Sequence, residues 1–223
     1  MQSNNRYVYA LNNPLRWIDP NGYKIEMSSN ATESERGQYE RAIVYLMTSE
    51  TAAALIKVLE ESSETITIVF NSNLNSSANS YNPKARTTNW NPQAGLVLRN
   101  KKDVMSAAMA LAHEMGHASQ HLDGTFSSLT NITGALRKQI ETDNLKRHET
   151  TIASELGEYS RKKYGDASQV REMKNSTEWG YLKMPGSAWN PVNWVKPMIL
   201  VNQNTWVWKT DVDAITRAAP RIH

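Results

Sequence analysis

The chain has no cysteine among its 223 residues. This absence excludes disulfide bonds, a cysteine nucleophile and metal sites with thiolate ligands. No apolar run comes near the ~20 residues of a membrane-spanning helix. The polar start from Met1 to Arg6 lacks the features of a secretory signal. If the protein leaves its cell, we therefore expect a specialised secretion system to carry it.

The excess of positive over negative charge is also small. The formal net charge is +3 at pH 7, and Lys and Arg form no long block. We therefore expect no nucleic acid and no membrane among the partners. Hydrophobic residues make up 39% of the chain and charged residues 21%, which is typical of a chain that buries a sizeable core. The length suits one catalytic domain with a short appendage.

Local patterns predict the secondary structure of the first half. Thr32 and Ser49 are the predicted N-caps of two helices, Glu33 to Met47 and Glu50 to Leu59. The β-branched run from Thr65 to Phe70 predicts a strand.

The middle of the chain predicts an α+β fold with a short, mostly antiparallel sheet. Residues 71–91 are rich in Asn and Ser and predict a long surface loop, and Ala94 to Leu98 predict a second strand. We expect this strand at a sheet edge, where an extended substrate can pair with it. Asp103 is the predicted cap of a helix that ends near residue 122, and a later helix is predicted from Glu141 to Tyr164.

The motif His113-Glu114-Met115-Gly116-His117 lies on the first of these long helices. Residues four apart lie one turn apart on the same helix face, so His113 and His117 can bind one ion. Glu114 lies about 100° around the helix, where its carboxylate can act as general base for a water molecule that zinc activates. The spacing therefore predicts a hydrolase with Zn²⁺ as cofactor and Glu114 as catalytic residue.

A catalytic zinc site needs a third protein ligand and keeps one position open for water. Glu149 on the later helix is the preferred third ligand, and Glu155 and Asp123 are the alternatives. Asp123 occupies the position of the third ligand in metzincins, but Gln120 stands where those proteins have the glycine that ends the helix. The identity of the third ligand stays open at this stage.

Other polar residues near the motif have less certain roles. His121 lies about 12 Å along the helix from His113, too far for one ion to bind both. We expect it at the surface or at the rim of a pocket. The residues able to stabilise a developing oxyanion are Tyr159, Tyr164, Arg161, Arg171 and His148, and the sequence does not select among them.

The first residues resemble a known junction between domains. They contain Tyr9-Ala10-Leu11-Asn12-Asn13-Pro14 followed by Asp19-Pro20-Asn21-Gly22. This stretch, Arg6 to Tyr23, resembles the end of the core of Rhs (YD-repeat) proteins, although Tyr23 replaces the usual Leu. In that family the element joins a β-shell to a variable C-terminal toxin. The resemblance implies that an effector domain follows, with the Rhs core shell and a cognate immunity protein as partners.

A second resemblance covers about residues 65–164. It rests on the Asn-Trp-Asn-Pro segment at 89–92, the run Leu111 to Ala118, and a later helix that contains Glu149, Ala153 and Glu155. These features are similar to the effector metallopeptidases of the NleD type and to the zincin domains found behind Rhs cores. The resemblance implies a zincin-like fold in which a second helix bears a ligand, and it implies cleavage of proteins inside a target cell.

These observations predict three parts: residues 1–23 as the end of an Rhs core, 24–32 as a linker, and 33–223 as a zinc metallopeptidase toxin domain. The last part includes a Trp-rich C-terminal region with a closing helix at 211–219. The expected function is a delivered zinc endopeptidase that hydrolyses a protein in the target-cell cytoplasm. The alternatives are a non-catalytic, degenerate zincin that acts as a binding module, and a zinc amidase that acts on cell wall.

Overall fold

The structure is a computed structural model that describes residues 24–75, 78–100, 103–125, 134–163, 165–181, 198–202 and 205–208. The Rhs-like segment and the predicted helix at 211–219 lie outside the described residues. The helices are α1 (Glu33–Leu46), α2 (Glu50–Glu60), α3 (Ala107–Leu122), α4 (Gly134–Asn144) and α5 (Thr150–Leu156), and a π turn (Leu145–Glu149) joins α4 to α5. The strands are β1 (Ile25–Met27), β2 (Ile66–Phe70), β3 (Ser80–Asn82), β4 (Thr87–Trp90), β5 (Ala94–Leu98), β6 (Asp103–Met105), β7 (Ala167–Glu172), β8 (Gly180–Tyr181), β9 (Met198–Asn202) and β10 (Thr205–Trp208). The predicted α+β class is confirmed.

Side-chain caps determine where the first two helices begin. The Thr32 hydroxyl accepts a hydrogen bond from the Glu35 amide, and the Glu35 carboxylate accepts one from the Thr32 amide at 2.8 Å. The Ser49 hydroxyl accepts from the Ala52 amide at 3.0 Å. Both residues are the predicted N-caps, and each helix ends within one residue of its predicted end because the capping and periodicity signals are local.

The first sheet has the strand order β1-β2-β4-β3. β1 and β4 run parallel to β2, and β3 is an antiparallel edge strand. Two expectations were wrong here. The predicted linker at 24–32 contributes β1, and the predicted loop at 71–91 contains β3 and β4. These strands have only three or four residues each, too few for an alternating apolar pattern to stand out in an Asn-rich segment.

The second sheet is antiparallel and has the order β7-β5-β6-β8. β5 has the predicted bounds, but it lies between β6 and β7, so the expectation that it is an edge strand was wrong. Asp103 begins β6 and does not cap α3. The cap is Ser106, whose hydroxyl accepts from the Met109 amide at 3.1 Å. The helix therefore starts three residues later than predicted, because pairing with β5 holds residues 103–105 extended.

The remaining described strands, β9 and β10, form an antiparallel pair of their own. They belong to the predicted Trp-rich region. Among the described residues, no helix combines the length and the apolar character that crossing a bilayer would require.

Helix α3 is the centre of the core. All but three of its residues are buried, the exceptions being Ser119, His121 and Leu122. A helix buried on nearly all sides needs small residues where neighbours approach closely, and α3 has five alanines and a glycine. The fully buried Trp90 of β4 donates through Nε1 to the Ala107 carbonyl at 2.8 Å. The first sheet is thereby attached to the start of α3.

The later helical segment differs from the single helix predicted at 141–164. It begins earlier, at Gly134, and the π turn interrupts it. It ends at Leu156, because Gly157 has a left-handed conformation with φ of 71°. The chain then turns back toward α3. This segment and α3 together carry the polar residues described next.

Candidate metal centre

Two histidine side chains of α3 point to one place. The Nε2 atoms of His113 and His117 are 3.1 Å apart, and each residue is only 7% exposed. Glu141, near the end of α4, brings its Oε2 atom to 3.2 Å from Nε2 of His113 and 3.5 Å from Nε2 of His117. Each of the three residues offers one ligand atom, and these atoms lie within 4.8 Å of one another. The group could hold a metal ion.

The hydrogen bonds of Gln120 determine which nitrogen of His117 faces the centre. The Gln120 amide nitrogen donates to the Ile140 carbonyl at 3.0 Å and to the Asp143 carboxylate at 2.7 Å. Its oxygen must then accept, and it lies 2.9 Å from Nδ1 of His117. We therefore assign the ring proton of His117 to Nδ1. The lone pair on Nε2 faces the centre.

A carboxylate does the same for His113. Oε2 of Glu149 lies 2.8 Å from Nδ1 of His113, and the Glu149 side chain is fully buried. Donation from Nδ1 to this carboxylate leaves the Nε2 lone pair facing the centre. The backbone of His113 is held as well, because the Asn144 amide nitrogen donates to the His113 carbonyl at 2.8 Å.

The donor set fits a cation. In these tautomers two nitrogen lone pairs and one carboxylate oxygen converge. Oε2 of Glu141 is buried and makes no hydrogen bond of acceptable geometry, although both Nε2 atoms are near. Three electron-pair donors in such contact repel one another unless a positive charge lies among them, and an unpaired buried carboxylate oxygen is costly. His113, His117 and Glu141 are therefore suited to metal binding.

The pKa values of the surrounding groups show the same preference for positive charge. Burial alone would lower the pKa of His113, but the neighbouring carboxylates of Glu141 and Glu149 raise it to about 9. Burial would raise the pKa of Glu149, but hydrogen bonds from Arg161 and His113 lower it to about 2. Both effects arise from buried carboxylates that remain charged. Surroundings that favour a proton on an imidazole also favour a metal cation.

The structure places Glu149, the preferred third ligand, on the other side of the His113 ring. Both of its oxygens are in use. Oε1 accepts from Nε of Arg161 at 3.0 Å, and Oε2 accepts from Nη2 of Arg161 and lies against Nδ1 of His113. The residue grouped with the two histidines is Glu141.

The two alternative ligands also lie apart from this group. Oε2 of Glu155 accepts from the amide of Thr51 at 3.1 Å and from Ser49. Asp123 forms an exposed ion pair with Arg147 at 2.8 Å.

Two further residues of α3 were assigned roles from sequence. Glu114 is 8% exposed. Burial lowers the pKa of Arg161, but the negative charges of Glu149, Glu141 and Glu114 together raise it. His121 is partly buried and pairs with the Tyr81 hydroxyl at 2.9 Å, away from the three donors.

Sequence reasoning missed Glu141 and the role of Gln120. A usable signal was present. Ile140 and Leu145 bound a buried side that would be about 140° wide on an α-helix, and Glu141 and Asn144 lie between them. Polar residues on the buried side of a helix are unusual unless they are paired or bind a ligand.

The chain also matches a known protein family. The model of the Peptidase M91 family, whose description is "effector protein", matches residues 23–154. The chain belongs to the Peptidase M91 family of effector proteins. No match was found among curated proteins, and none among solved structures. The matched part includes both histidines, Glu114, Glu141 and Glu149, and it ends before Arg161. Family membership assigns the chain to the peptidases.

Proposed function

We propose that this M91 member is a zinc-dependent endopeptidase whose ligands are His113, His117 and Glu141. The observation that carries the proposal is the convergence of two imidazole lone pairs and one carboxylate oxygen without a hydrogen bond. Two histidines and one glutamate are a known ligand set of catalytic zinc, which keeps one position open for water. We also propose that α3 and α4 are arranged like the two ligand-bearing helices of a zincin.

Glu114 is the proposed general base and acid. Bound zinc would lower the pKa of a water molecule and polarise the substrate carbonyl. Glu114 follows a ligand directly on the same helix, so its carboxylate can take a proton from the attacking water and pass it to the leaving amine. Because the side chain is almost fully buried, the carboxylate acts in surroundings of low polarity, where electrostatic interactions are strong.

The residues behind the histidines hold the two rings in the orientation that metal binding requires. Gln120 and Glu149 hold Nδ1 of each ring, and hydrogen bonds of this kind orient ligands and raise their basicity. Asn144 attaches α4 to the backbone of α3. The rings therefore need little reorganisation when the metal binds.

An edge strand lies beside the motif helix, where an extended substrate could pair with it. Since β5 is internal, the edge nearest α3 is β3, whose Tyr81 contacts His121 of α3. Asn82, at the end of β3, is exposed. A peptide that pairs with this edge would use main-chain hydrogen bonds for affinity. We propose β3 as the pairing edge.

Delivery into a target cell completes the proposal. Support comes from the effector description of the family and from the Rhs-like residues 6–23, which end where the family match begins. We propose that the effector travels with an Rhs core shell, leaves through a specialised secretion system and cleaves a protein in the target-cell cytoplasm. A cognate immunity protein would protect the producing cell.

Metal analysis tests the ligand set. We expect one zinc per chain in the wild type and substoichiometric zinc in His117→Ala and Glu141→Gln, because each removes one ligand. Glu149→Gln should keep zinc at a reduced affinity. Full zinc occupancy in Glu141→Gln together with its loss in Glu149→Gln would show that Glu149 is the ligand.

The catalytic role needs a separate experiment. Zinc-loaded wild type and Glu114→Gln are incubated with bacterial and human cell lysates, and new protein amino termini are labelled and sequenced. We expect new termini only with the wild type, while Glu114→Gln retains zinc. Equal sets of termini from both proteins would rule out the proposed role of Glu114. Release of cell-wall fragments without new termini would favour the amidase alternative, and no product of either kind would favour the binding module.

A further inference from the structure

A buried ion pair lies directly behind the His113 ring. Arg161 donates through Nε to Oε1 of Glu149 at 3.0 Å and through Nη2 to Oε2. The Glu149 side chain is 0% exposed and that of Arg161 is 10% exposed. Oε2 of Glu149 also lies 2.8 Å from Nδ1 of His113. One carboxylate therefore connects the guanidinium group to the ring of a proposed metal ligand.

We propose that Arg161 is a positioning residue of the metal centre, which acts through Glu149 to hold the orientation and tautomer of His113. The inference rests on the proposed metal site. Nη2 of Arg161 also lies within hydrogen-bond distance of Nδ1 of His113, at 2.9 Å, so Arg161 and Glu149 meet the ring at the same nitrogen. The planar fork of the guanidinium prevents this carboxylate from rotating.

The charge of Arg161 matters as much as its geometry. Glu149 shares a buried region with Glu141 and Glu114, and a buried carboxylate without a partner is strongly destabilising. With Arg161 in place, Glu149 stays ionised and its oxygens stay occupied. Without Arg161, the same carboxylate could turn toward the metal or take up a proton. The Nδ1 atom of His117, in contrast, faces the neutral amide oxygen of Gln120.

The chain delivers Arg161 by a specific route. The left-handed Gly157 ends α5. The buried Glu158 then accepts hydrogen bonds from the Tyr45 hydroxyl at 2.7 Å and the Ser106 amide at 2.9 Å. These contacts return the chain to the start of α3, three residues before Arg161. Since the family match ends at residue 154, a part of the metal centre comes from beyond the matched segment.

Zinc affinity, measured by competition with a chromophoric chelator, tests this role in the full chain. We expect Arg161→Gln to weaken zinc binding about 10- to 100-fold, the usual effect of losing an outer-shell partner. Arg161→Lys should also weaken it, because an ammonium group cannot form the fork. The matched control is Arg86→Gln, which removes an arginine from an exposed ion pair with Glu64 at 2.9 Å. It should bind zinc as the wild type does.

A double-mutant cycle with Glu149→Gln tests whether Arg161 acts through Glu149. In the Glu149→Gln background, Arg161→Gln should cost little further affinity. This double variant leaves no unpaired buried charge, so it remains measurable if Arg161→Gln alone fails to fold, and Arg161→Lys then carries the single-variant comparison. A full-sized loss in the Glu149→Gln background would overturn the proposal, as would wild-type affinity in Arg161→Lys.

The outcomes separate this inference from the proposed function. If the wild type binds no stoichiometric zinc, or if His117→Ala binds zinc as the wild type does, the proposed function fails and the role of Arg161 fails with it. If the wild type binds zinc, His117→Ala does not, and Arg161→Gln matches the Arg86→Gln control, only the role of Arg161 is wrong.

Discussion

Single residues outside the motif decide how the motif histidines are presented. The spacing of His113 and His117 supplies two imidazoles on one helix face, but each ring has two nitrogens. Gln120 and Glu149 select Nε2 in both cases by occupying Nδ1. From sequence, Gln120 was only a departure from the metzincin pattern. Its amide makes three hydrogen bonds in the folded chain, and these account for its presence.

Gly116 permits the close approach of α3 and α4. A Cβ atom at this position would overlap Oδ1 of Asn144, whose amide nitrogen donates to the His113 carbonyl. We expect Gly116→Ala to lower the free energy of unfolding by about 1–3 kcal/mol, the usual cost of overpacking a core. Urea unfolding of the purified protein measures this change.

Gly37 provides the matched control for this substitution. It lies within α1, and a Cβ there would meet no atom within 4 Å. Gly37→Ala should raise stability by about 0.5–1 kcal/mol, because alanine is the better helix former. If the two alanine variants had equal stability, the contact between Gly116 and Asn144 would not limit the packing of the helices.

At the scale of elements, the π turn brings Glu141 and Glu149 to one face of the helical segment although they are eight residues apart. In an unbroken α-helix, Glu141 and Glu149 would be about 80° apart beyond two full turns. A π turn contains more residues per turn than an α turn, so it rotates Glu149 back toward the face of Glu141. Both carboxylates can then reach the His113 ring, one at each nitrogen. A continuous helix, as predicted from sequence, would not allow this.

Length changes in the π turn test that reasoning. Deletion of the exposed Lys146 leaves seven residues from Glu141 to Glu149, about 20° short of two α-helical turns, and should keep zinc affinity within about threefold. Insertion of one alanine after Lys146 should lower the affinity at least about tenfold, because it displaces one carboxylate. Chelator competition measures both. If the insertion variant kept wild-type zinc affinity, the placement of both carboxylates on one helix face would not matter for zinc binding.

The start of α3 depends on a buried cap. Ser106 caps the helix and also donates to Oε1 of Glu158 at 2.8 Å. We expect Ser106→Ala to cost about 2 kcal/mol, the upper end for a lost cap, since it also removes a partner of a buried carboxylate. The exposed cap Thr32 is the comparison, and Thr32→Ala should cost about 0.5 kcal/mol. Thermal unfolding ranks the two variants, and equal losses would contradict the proposed importance of burial.

At the scale of the whole molecule, distant parts of the chain meet at α3. Residues 78–93 contribute β3 and β4, and Trp90 of β4 attaches the first sheet to the start of α3. α4 contributes Glu141, and the segment after α5 contributes Glu158 and Arg161. The β7 strand pairs with β5, and the Ala108 amide donates to the Ser176 carbonyl at 2.7 Å. The fold around the candidate metal centre therefore extends beyond the family match.

Truncation tests this extent. A chain that ends at Leu156 keeps the whole matched segment but loses Arg161, Glu158 and the strand that pairs with β5. We expect it to show no cooperative thermal unfolding and no stoichiometric zinc. A chain that ends at Tyr181 keeps the described contacts of the centre, so it should retain both properties. Normal zinc binding by the shorter chain would show that the matched segment is sufficient by itself.

Local features were determined by the sequence alone. The caps Thr32 and Ser49, the bounds of β5 and the helical spacing of His113 and His117 each depend on a few neighbouring residues, and all four are present in the structure. Only the tertiary structure decided that β5 lies inside its sheet and that Glu141 joins the two histidines while Glu149 lies behind one of them. Both outcomes depend on how elements far apart in sequence are placed, and a single π turn decides whether both carboxylates can reach the His113 ring.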